Sequence, residues 1–417
     1  MEQRNGTRSS NQPQLRINVP SSARERVDSV DPYGFQRSDD FDYESYEELM
    51  SEYLAVLTRR SIKWSKLLQG KRRVDRNLKV KRYVRKGVPN EHRPLVWMVS
   101  SGAQERMERN PGYYRSLLDA QHDPKLLESI RTDLHRTFPD NVNFRRSADP
   151  CLQAALYNVL VAYGQHNKAV GYCQGMNFIA GYLIIISKDE ETSFWLMEAL
   201  LGRILPDYYS PAMLGLKADQ EVLGELVRAR IPTVWRLMQD HGVMWSLVVS
   251  RWFICLFIDV LPVEVTERSQ RGHVTQRLSN DPLCLCSHQT VLRIWDCLFY
   301  EGSKILFRVA LTLIRHHQDV ILQAQNMPDV CEHFKRITRG AFVEDCHAFM
   351  QVKLVTARLF TTRSVSALHL SKCERCHPNQ TSLIIPQAIF LEPGSLSKAT
   401  VSKLRESCRA RILAGES

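Results

Sequence analysis

The amino-acid sequence predicts an all-α protein. Apolar residues recur at the i, i+3, i+4 spacing of a helix face along most of the chain beyond residue 87. No stretch shows the sustained alternation of a half-buried strand, and the short apolar run at residues 183–186 lies inside a helical stripe. A chain of 417 residues is long enough to bury a sizeable core. We therefore expect a multi-helix domain without a sheet.

The composition is typical of a globular intracellular protein. The hydrophobic fraction is 44% and the charged fraction is 24%, both close to globular averages. Eleven cysteines are scattered along the chain, which favours a reduced compartment over a disulfide framework. The first residues lack the apolar core of a secretory signal. The apolar stretch at residues 243–261 contains Arg251, which disfavours a membrane span, so we predict a buried helix there. We expect a cytoplasmic location, including peripheral positions on endomembranes.

The first 86 residues divide into two parts. Residues 1–40 are rich in Ser, Arg, Gln, Asn and Pro without periodicity, which predicts a disordered segment. Residues 41–86 combine an apolar stripe from Tyr43 to Leu68, which predicts one or two amphipathic helices, with a basic run from Lys71 to Lys86. The run is typical of a solvated linker, and the alternative is weak contact with anionic membrane. Since Tyr83 is its one aromatic residue, no nucleic-acid partner is expected.

The body of the chain carries helix signals in order. Asp123 before Pro124 predicts a helix start, and Phe138-Pro139 predicts its end. The next helix is predicted over residues 150–163, with Asp149 as cap and Gly164 as stop. Further apolar stripes predict helices over residues 176–187, 193–205, 220–227, 234–238, 247–260 and 305–322.

Asp133 and Arg136 stand three residues apart near the end of the helix that starts at Pro124. This spacing places both on one face, so the carboxylate can orient a guanidinium that the helix end presents outward. Such a cation can neutralise charge that develops on a transferring phosphoryl group. The alternative is an ordinary exposed ion pair, which contributes little.

Gly171 and Gly175 bracket Tyr172-Cys173-Gln174, which predicts a sharp loop before a helix that begins near Met176. A carboxamide on such a loop can enter a partner's site and position an attacking water. The alternative is a polar turn residue beside a helix terminus. A cation and an amide together are the groups that a slow GTPase lacks, which indicates a chain that supplies catalytic groups in trans.

Four ordered motifs carry a resemblance to a known family. They lie at residues 85–97, 130–136, 172–177 and 293–296. In this order they resemble the TBC (Tre/Bub/Cdc) domain, the Rab GTPase-activating module. The resemblance implies a TBC domain over residues 87–322, followed by carboxy-terminal helices at 323–351 and 388–417. It also implies GTPase activation, small GTPase binding and a role in vesicle trafficking and intracellular protein transport.

The resemblance assigns roles to individual residues. It implies an arginine finger at Arg136 and a glutamine finger at Gln174. Supporting roles fall on neighbours of these two, namely Asp133, which would position Arg136, Tyr172, which would brace the loop, and Ile130, Gly175 and Asn177. Structural roles fall on Arg93, Trp97, Trp295 and Asp296.

The sequence has no Gly-x-x-x-x-Gly-Lys-Ser/Thr phosphate loop and no Gly-x-Ser-x-Gly elbow. We therefore expect an enzyme activator and not an enzyme, with no cofactor and no metal site of its own. By the resemblance, GTP and Mg²⁺ belong to the partner, a Rab-family GTPase in its GTP-bound form. Two alternatives stay open: a non-catalytic GTPase-binding scaffold, and a membrane-surface adaptor that uses Lys71 to Lys86.

Two inserts interrupt the family pattern, at residues 265–289 and 352–387. Both begin with Val and end with Gln, as retained introns bounded by GT and AG would encode, a hypothesis that transcript reads test. The first insert precedes the helix of Trp295, so we expect that helix to start at Ser287 or Thr290, and GAP activity to depend on the packing of Trp295. Cys/His clusters at 284–288 and 373–377 lie inside the inserts. We expect these clusters to have arisen by chance and not to bind zinc or haem.

Overall fold

The computed structural model describes residues 30–37, 43–69, 74–258, 260–261, 287–339, 341–344, 349–350 and 396–415. The all-α prediction is confirmed. Within these ranges the chain forms helices and turns, and its two isolated β-bridges do not build a sheet.

The amino-terminal part of the fold consists of nine described helices up to Glu198: α1 Tyr43–Leu68, α2 Leu78–Lys86, α3 Arg93–Ser101, α4 Ala103–Arg109, α5 Tyr113–Leu118, α6 Pro124–Leu134, α7 Leu152–His166, α8 Met176–Ser187 and α9 Glu190–Glu198. Short 3-10 turns lie at Asn90–His92 and Val142–Phe144. A π-helical turn, Ala199–Ile204, continues α9.

The carboxy-terminal part contains α10 Leu214–Arg230, α11 Pro232–Asp240, α12 Trp245–Ile254, α13 Ser287–Glu301, α14 Lys304–His316, α15 Gln318–Ile321, α16 Met327–Arg336, α17 Ala341–Glu344 and α18 Lys398–Ala414. Helices α6 to α9 pack against one another. Helix α10 contacts α12, α14 and α18, while α13 joins α2 and α3 to α14. Their buried faces form one continuous apolar cluster.

Helix α6 starts where its sequence predicts. Asp123 caps the helix by accepting a hydrogen bond from the Lys125 backbone amide at 3.0 Å, and Pro124 occupies the first turn. The predicted end is wrong, because the helix stops at Leu134 and not at Phe138. Phe138 adopts φ 47° and packs edge-on against three aromatic rings, those of Phe35, Phe144 and Phe178. This packing draws the chain out of the helix, so Arg136 lies just beyond its last turn.

Helix α7 also differs from its predicted bounds. It begins at Leu152, two residues after the predicted start, and it continues through Gly164 to His166. A Cβ atom on Gly164 would lie 2.8 Å from the Cδ atoms of Leu126. Gly164 therefore serves the close approach of α6 to α7, and the interpretation of this glycine as a helix stop is wrong.

Two other stripes divide into shorter elements. The stripe at 193–205 belongs to α9 and its π-helical turn, and the stripe at 305–322 forms α14 and α15. The stripe at 247–260 ends at Ile254, because Leu256 and Phe257 adopt φ 49° and 66°. The Leu256 carbonyl accepts a hydrogen bond from Trp295 Nε1 at 3.1 Å. Tertiary contact with Trp295 thus accompanies the early end of α12.

The apolar stretch at residues 243–261 contains the ten-residue helix α12. Trp252 and Phe253 are buried in it, while Arg251 lies on the exposed side. In the part of the chain that the structure describes, every helix falls short of the length or the apolar character that a bilayer crossing demands.

The helix of Trp295 survives the first interruption of the family pattern. Helix α13 begins at Ser287, one of the two predicted positions. Trp295 is fully buried, and its ring lies 5.9 Å from that of Trp97 and 5.3 Å from that of Tyr182, measured between centroids. Most of the first predicted insert and all of the second lie outside the described residues, and their origin stays a hypothesis.

Residues 30–37 are ordered and pack on the domain, although the sequence predicts disorder over residues 1–40. Tyr33 and Phe35 are buried, and Tyr33 Oη donates a hydrogen bond to Asn90 Oδ1 at 2.8 Å. Asn141 Nδ2 donates to the Tyr33 carbonyl at 3.0 Å. These contacts attach the segment to the domain, because two aromatic rings gain a buried environment. Residues 1–29 and 38–40 lie outside the described residues.

The basic run is not a solvated linker over residues 78–86. These residues form α2, and Arg85 makes a bidentate ion pair with Glu301 at 2.6 and 2.9 Å. Lys81 lies 3.4 Å from the same carboxylate. The charges therefore join α2 to α13, a contact that the linear charge pattern does not reveal.

Asp296 is the centre of a buried polar network between α3 and α13. Its carboxylate accepts hydrogen bonds from Arg93 Nε at 3.1 Å, Trp97 Nε1 at 2.9 Å and the Val88 amide at 2.9 Å. Burial raises the pKa of Asp296, and the Arg93 charge opposes this effect. The residues for which a scaffold role is predicted thus lie together in the core.

Asp296→Ala should destabilise the domain strongly, because it leaves the Arg93 guanidinium buried without its carboxylate. We expect the free energy of unfolding, measured in urea, to fall by about 3–5 kcal/mol. Asp240→Ala, at the exposed end of α11, is the matched control and should change it by under about 0.5 kcal/mol. Equal effects of the two substitutions would contradict the network.

Candidate functional site

The first half of the site follows the end of α6. Ile130 is fully buried and anchors this end of the helix, and Asp133 follows one turn later. Arg136 Nη2 lies 2.5 Å from Asp133 Oδ1, although the Asp133 side chain is only 5% exposed and that of Arg136 is 45% exposed. A buried carboxylate therefore holds a guanidinium that faces solvent.

The second half is the loop before α8. Gly175 caps α8 with φ 103°, a conformation that side chains rarely adopt. Its amide donates to Asn177 Oδ1 at 3.1 Å, which ties the loop to the first helical turn. Gln174 is exposed at the tip of this turn. The predicted sharp loop and the predicted helix start at Met176 are both confirmed.

Asp133 connects the two halves. While Oδ1 contacts Arg136, Oδ2 accepts a hydrogen bond of 2.5 Å from Tyr172 Oη. Tyr172 lies two residues before Gln174. One carboxylate thus links the arginine segment directly to the glutamine loop.

A second bridge runs beneath the first. Asn177 Nδ2 donates to Thr137 Oγ1 at 2.8 Å, and Thr137 Oγ1 donates to the Asp133 carbonyl at 2.8 Å. Asn177 and Thr137 are both fully buried. A buried amide group needs a hydrogen-bond partner, and here the partner of Asn177 lies on the other segment. This bridge therefore holds the start of α8 next to the segment of Arg136. Sequence reasoning missed Thr137, although a hydroxyl directly after Arg136 and a polar Asn177 in an apolar helix were available signals.

The electrostatics of the site keep its charges constant. The hydrogen bond with Asp133 raises the pKa of Arg136, so the guanidinium stays charged. Burial and the hydrogen bond to Asp133 raise the pKa of Tyr172 above its usual range, so its hydroxyl stays a donor. The arrangement can present a fixed cation and a neutral carboxamide to a docking partner.

Helix α8 connects the site to the core. Asn177 belongs to its first turn, and Tyr182, one and a half turns later, packs edge-on against Trp295. The predicted site residues therefore form two groups. Asp133, Arg136, Tyr172, Gly175 and Asn177 meet where α6 ends and α8 begins, while Arg93, Trp97, Trp295 and Asp296 lie in the core.

Helix α12 ends beside the glutamine loop and carries exposed apolar side chains near its start, and sequence reasoning missed this arrangement. A Cβ atom on Gly175 would lie 4.0 Å from Cγ1 of Ile254, the last residue of α12. Tyr209 Oη donates to the Ile254 carbonyl at 2.5 Å and holds the end of α12 in place. Towards the start of α12, Met244 and Leu247 are 68% and 54% exposed.

The described side chains contain no group of three or more His, Cys, Asp or Glu residues that is suited to a metal ion. The Cys/His clusters of the two inserts lie outside the described side chains.

Thr137→Val should weaken the second bridge, because it leaves the buried Asn177 amide without its acceptor. We expect the free energy of unfolding to fall by about 1–3 kcal/mol in urea. Thr132→Val is the matched control. It removes an equivalent hydroxyl from an exposed position on α6, where Thr132 Oγ1 donates to the Glu128 carbonyl at 3.0 Å. If both variants lose the same stability, the bridge has no special role.

A model of the Rab-GTPase-TBC domain family matches residues 90–268 and 283–322 of the chain. Growth hormone-regulated TBC protein 1-A of Danio rerio is 72% identical over 417 residues, which cover all of both chains. Growth hormone-regulated TBC protein 1 of Homo sapiens is 59% identical over 391 residues, 94% of this chain and 98% of the human one.

More distant relatives include GTPase-activating protein MSB4 of Saccharomyces cerevisiae, which is 29% identical over 78% of this chain and 69% of its own. Among solved structures, the crystal structure of the Chlamydomonas flagellar RabGAP TBC domain superposes with a TM-score of 0.58 at 29% identity. This superposition covers 76% of this chain and 96% of the Chlamydomonas chain.

Proposed function

Because this chain belongs to the Rab-GTPase-TBC domain family, whose members activate GTPases, we propose that it stimulates GTP hydrolysis by a Rab-family GTPase through Arg136 and Gln174. The observation that carries this proposal is the double bridge between the two segments. A cation and a carboxamide are both exposed, and buried hydrogen bonds hold their segments together. Such preorganisation is what a catalytic pair supplied in trans requires.

Arg136 would act on the phosphate groups of the partner's GTP. Negative charge spreads over the phosphoryl oxygens during transfer, and a guanidinium offsets it with two or more hydrogen bonds. Asp133 Oδ1 lies 2.5 Å from Arg136 Nη2. The ion pair limits the rotamers of Arg136 before docking, which reduces the entropy lost on forming the complex.

Gln174 would orient the attacking water. Its amide offers both a donor and an acceptor and carries no charge that competes for the phosphate. Gly175 adopts a left-handed conformation directly after Gln174, whose side chain is exposed. Tyr172 restrains the other end of the loop through Asp133.

The nucleotide and its Mg²⁺ belong to the partner, which docks in its GTP-bound form. Exposed Met244 and Leu247 lie at the start of α12, whose other end is next to the glutamine loop, and they offer apolar area for that docking. A few well-packed side chains near the centre of an interface contribute most of the affinity. We place the protein in vesicle trafficking and intracellular protein transport, acting in the cytoplasm and at endomembrane surfaces.

Substitution of either finger should abolish stimulation. In single-turnover GTP hydrolysis across a panel of Rab proteins, Arg136→Ala should lower the stimulated rate by about 10³-fold or more. Gln174→Ala should lower it by about 10²-fold, since one positioned polar group is lost. Arg131→Ala is the matched control, because Arg131 is exposed on α6 and contacts Tyr157 instead of Asp133.

Three outcomes are informative. Stimulation that depends on Arg136 and Gln174 but not on Arg131 supports the two-finger proposal. Stimulation that persists in both finger variants refutes it. Binding of a GTP-loaded Rab by the unaltered chain without faster hydrolysis would instead select the scaffold function.

Removal of the first insert tests whether it affects the activity. Because Trp295 keeps its buried packing in the full chain, deletion of residues 265–286, which leaves α13 complete from Ser287, should change the stimulated rate by less than about threefold. The same hydrolysis assay compares the two forms. A rate gain of several orders of magnitude on deletion would show that the insert suppresses the fingers.

A further inference from the structure

A polar cleft of about 250 Å³ opens where the segment before α2, the turn between α13 and α14, and the start of α18 meet. We call it the basic cleft, because five cationic side chains line it: Arg76, Arg203, Lys304, Lys398 and Arg405. Among the described lining residues, Glu301 is the one carboxylate. The lining includes no residue of the α6 and α8 segments that form the site above.

These cations come from distant parts of the chain and are held by specific contacts. Arg405 of α18 makes a bidentate pair with Asp219, both distances being 2.6 Å, and donates to Ser303 Oγ at 2.9 Å. Arg203 lies on the π-helical turn, which the Leu205 amide closes on the Leu200 carbonyl at 2.9 Å, and it pairs with Glu198 at 3.3 Å. Such π-turns occur frequently at functional sites. The convergence is therefore built into the fold.

The carboxylate of Glu301 does not balance the charge around it. It contacts Lys81 at 3.4 Å, Arg85 at 2.6 Å and Lys304 at 3.0 Å. Burial would raise the pKa of Glu301, but hydrogen bonds and charges from Arg85 and Lys304 lower it to about 2. One ionised carboxylate thus already serves three cations.

Two further cations on the cleft lack an acidic partner among the described residues. Arg76 donates to the Ser100 carbonyl and lies 5.8 Å over the Tyr300 ring, and neither group is charged. The ammonium of Lys398 has no described carboxylate within ion-pair distance. Partial burial, together with the charges of Arg76 and Lys304, lowers the pKa of Lys398, and the charge of Glu301 opposes this effect. The cleft therefore carries uncompensated positive charge.

We propose that the basic cleft binds a ligand with clustered phosphate groups. Guanidinium and ammonium groups are the side chains that recognise phosphate, and they approach this cleft from several directions. The amino termini of α14 and α18, helices of 13 and 17 residues, open beside it and favour an anion. Since a water molecule takes roughly 30 Å³, the volume accommodates a phosphate group with its solvent.

Such a ligand would connect α18 to the rest of the domain. Lys398 and Arg405 belong to α18, whereas Arg76 lies in the segment before α2 and Lys304 in α14. A polyphosphate that contacts both groups would stabilise the docked position of α18, so its binding should raise the melting temperature. The ligand is either a free phosphorylated metabolite or a phosphorylated lipid headgroup. The inference goes beyond GTPase activation and involves neither Arg136 nor Gln174.

Binding to the full chain at physiological salt tests the proposal. Inositol hexakisphosphate, measured by calorimetry, serves as the soluble probe. Phosphatidylcholine vesicles with and without phosphatidylinositol bisphosphate, measured by flotation, serve as the membrane probe. The double variant Arg76→Gln, Lys398→Gln should bind roughly tenfold or more weakly. The control Lys79→Gln, Lys403→Gln removes the same charge from exposed positions outside the cleft and should bind within about twofold of the unaltered chain.

Cleft-dependent binding of both probes supports the proposal with a lipid headgroup as an accessible source, and binding of the soluble probe alone supports a free ligand. The proposal is overturned if the chain binds neither probe, or if the cleft and control variants lose the same affinity. Lys398→Gln alone keeps the test valid if the double variant unfolds, which thermal unfolding without ligand will show. No GTPase is present in these assays, so their result is independent of the two-finger proposal.

Discussion

The carboxylate of Asp133 is almost completely buried and accepts from two side chains on different segments, Arg136 and Tyr172. A buried carboxylate with one partner removed would be costly, so the two contacts stabilise each other. Through them, the position of the guanidinium depends on the glutamine loop, and the loop depends on the end of α6. The Asn177 to Thr137 hydrogen bond repeats this link in the interior. The proposed catalytic pair therefore depends on one set of hydrogen bonds between the end of α6 and the glutamine loop.

The packing of α8 in the core supports these hydrogen bonds. Helix α8 begins at the site and carries Tyr182 to Trp295, whose indole donates to the Leu256 carbonyl. The next residue, Asp296, is the acceptor for Arg93 and Trp97. Polar contacts between residues 203 and 199 positions apart thus lie next to the aromatic packing that anchors α8. A site on packed helices keeps its geometry better than one on an isolated loop.

The cationic side chains of this protein occupy two kinds of environment. Arg136 projects from a compensated ion pair and is available to a docking partner. The cations of α2, α14 and α18 converge instead on Glu301 and the basic cleft, where they exceed the carboxylates nearby. The net charge of +11 does not distinguish these environments, since it counts residues without their positions. Only packing decides which charges are compensated and which face a ligand.

The sequence by itself determined the all-α class, the cap of α6 at Asp123, the sharp loop between Gly171 and Gly175 and the segments that carry Arg136 and Gln174, because these follow from local periodicity and local backbone preference. Tertiary structure decided the rest. The aromatic cluster around Phe138 ends α6 early, Leu126 requires the absence of a side chain at Gly164, and Thr137 finds Asn177 forty positions away. Such contacts join residues far apart in the chain, so no local pattern encodes them, and packing free energy overrides helix propensity where the two conflict.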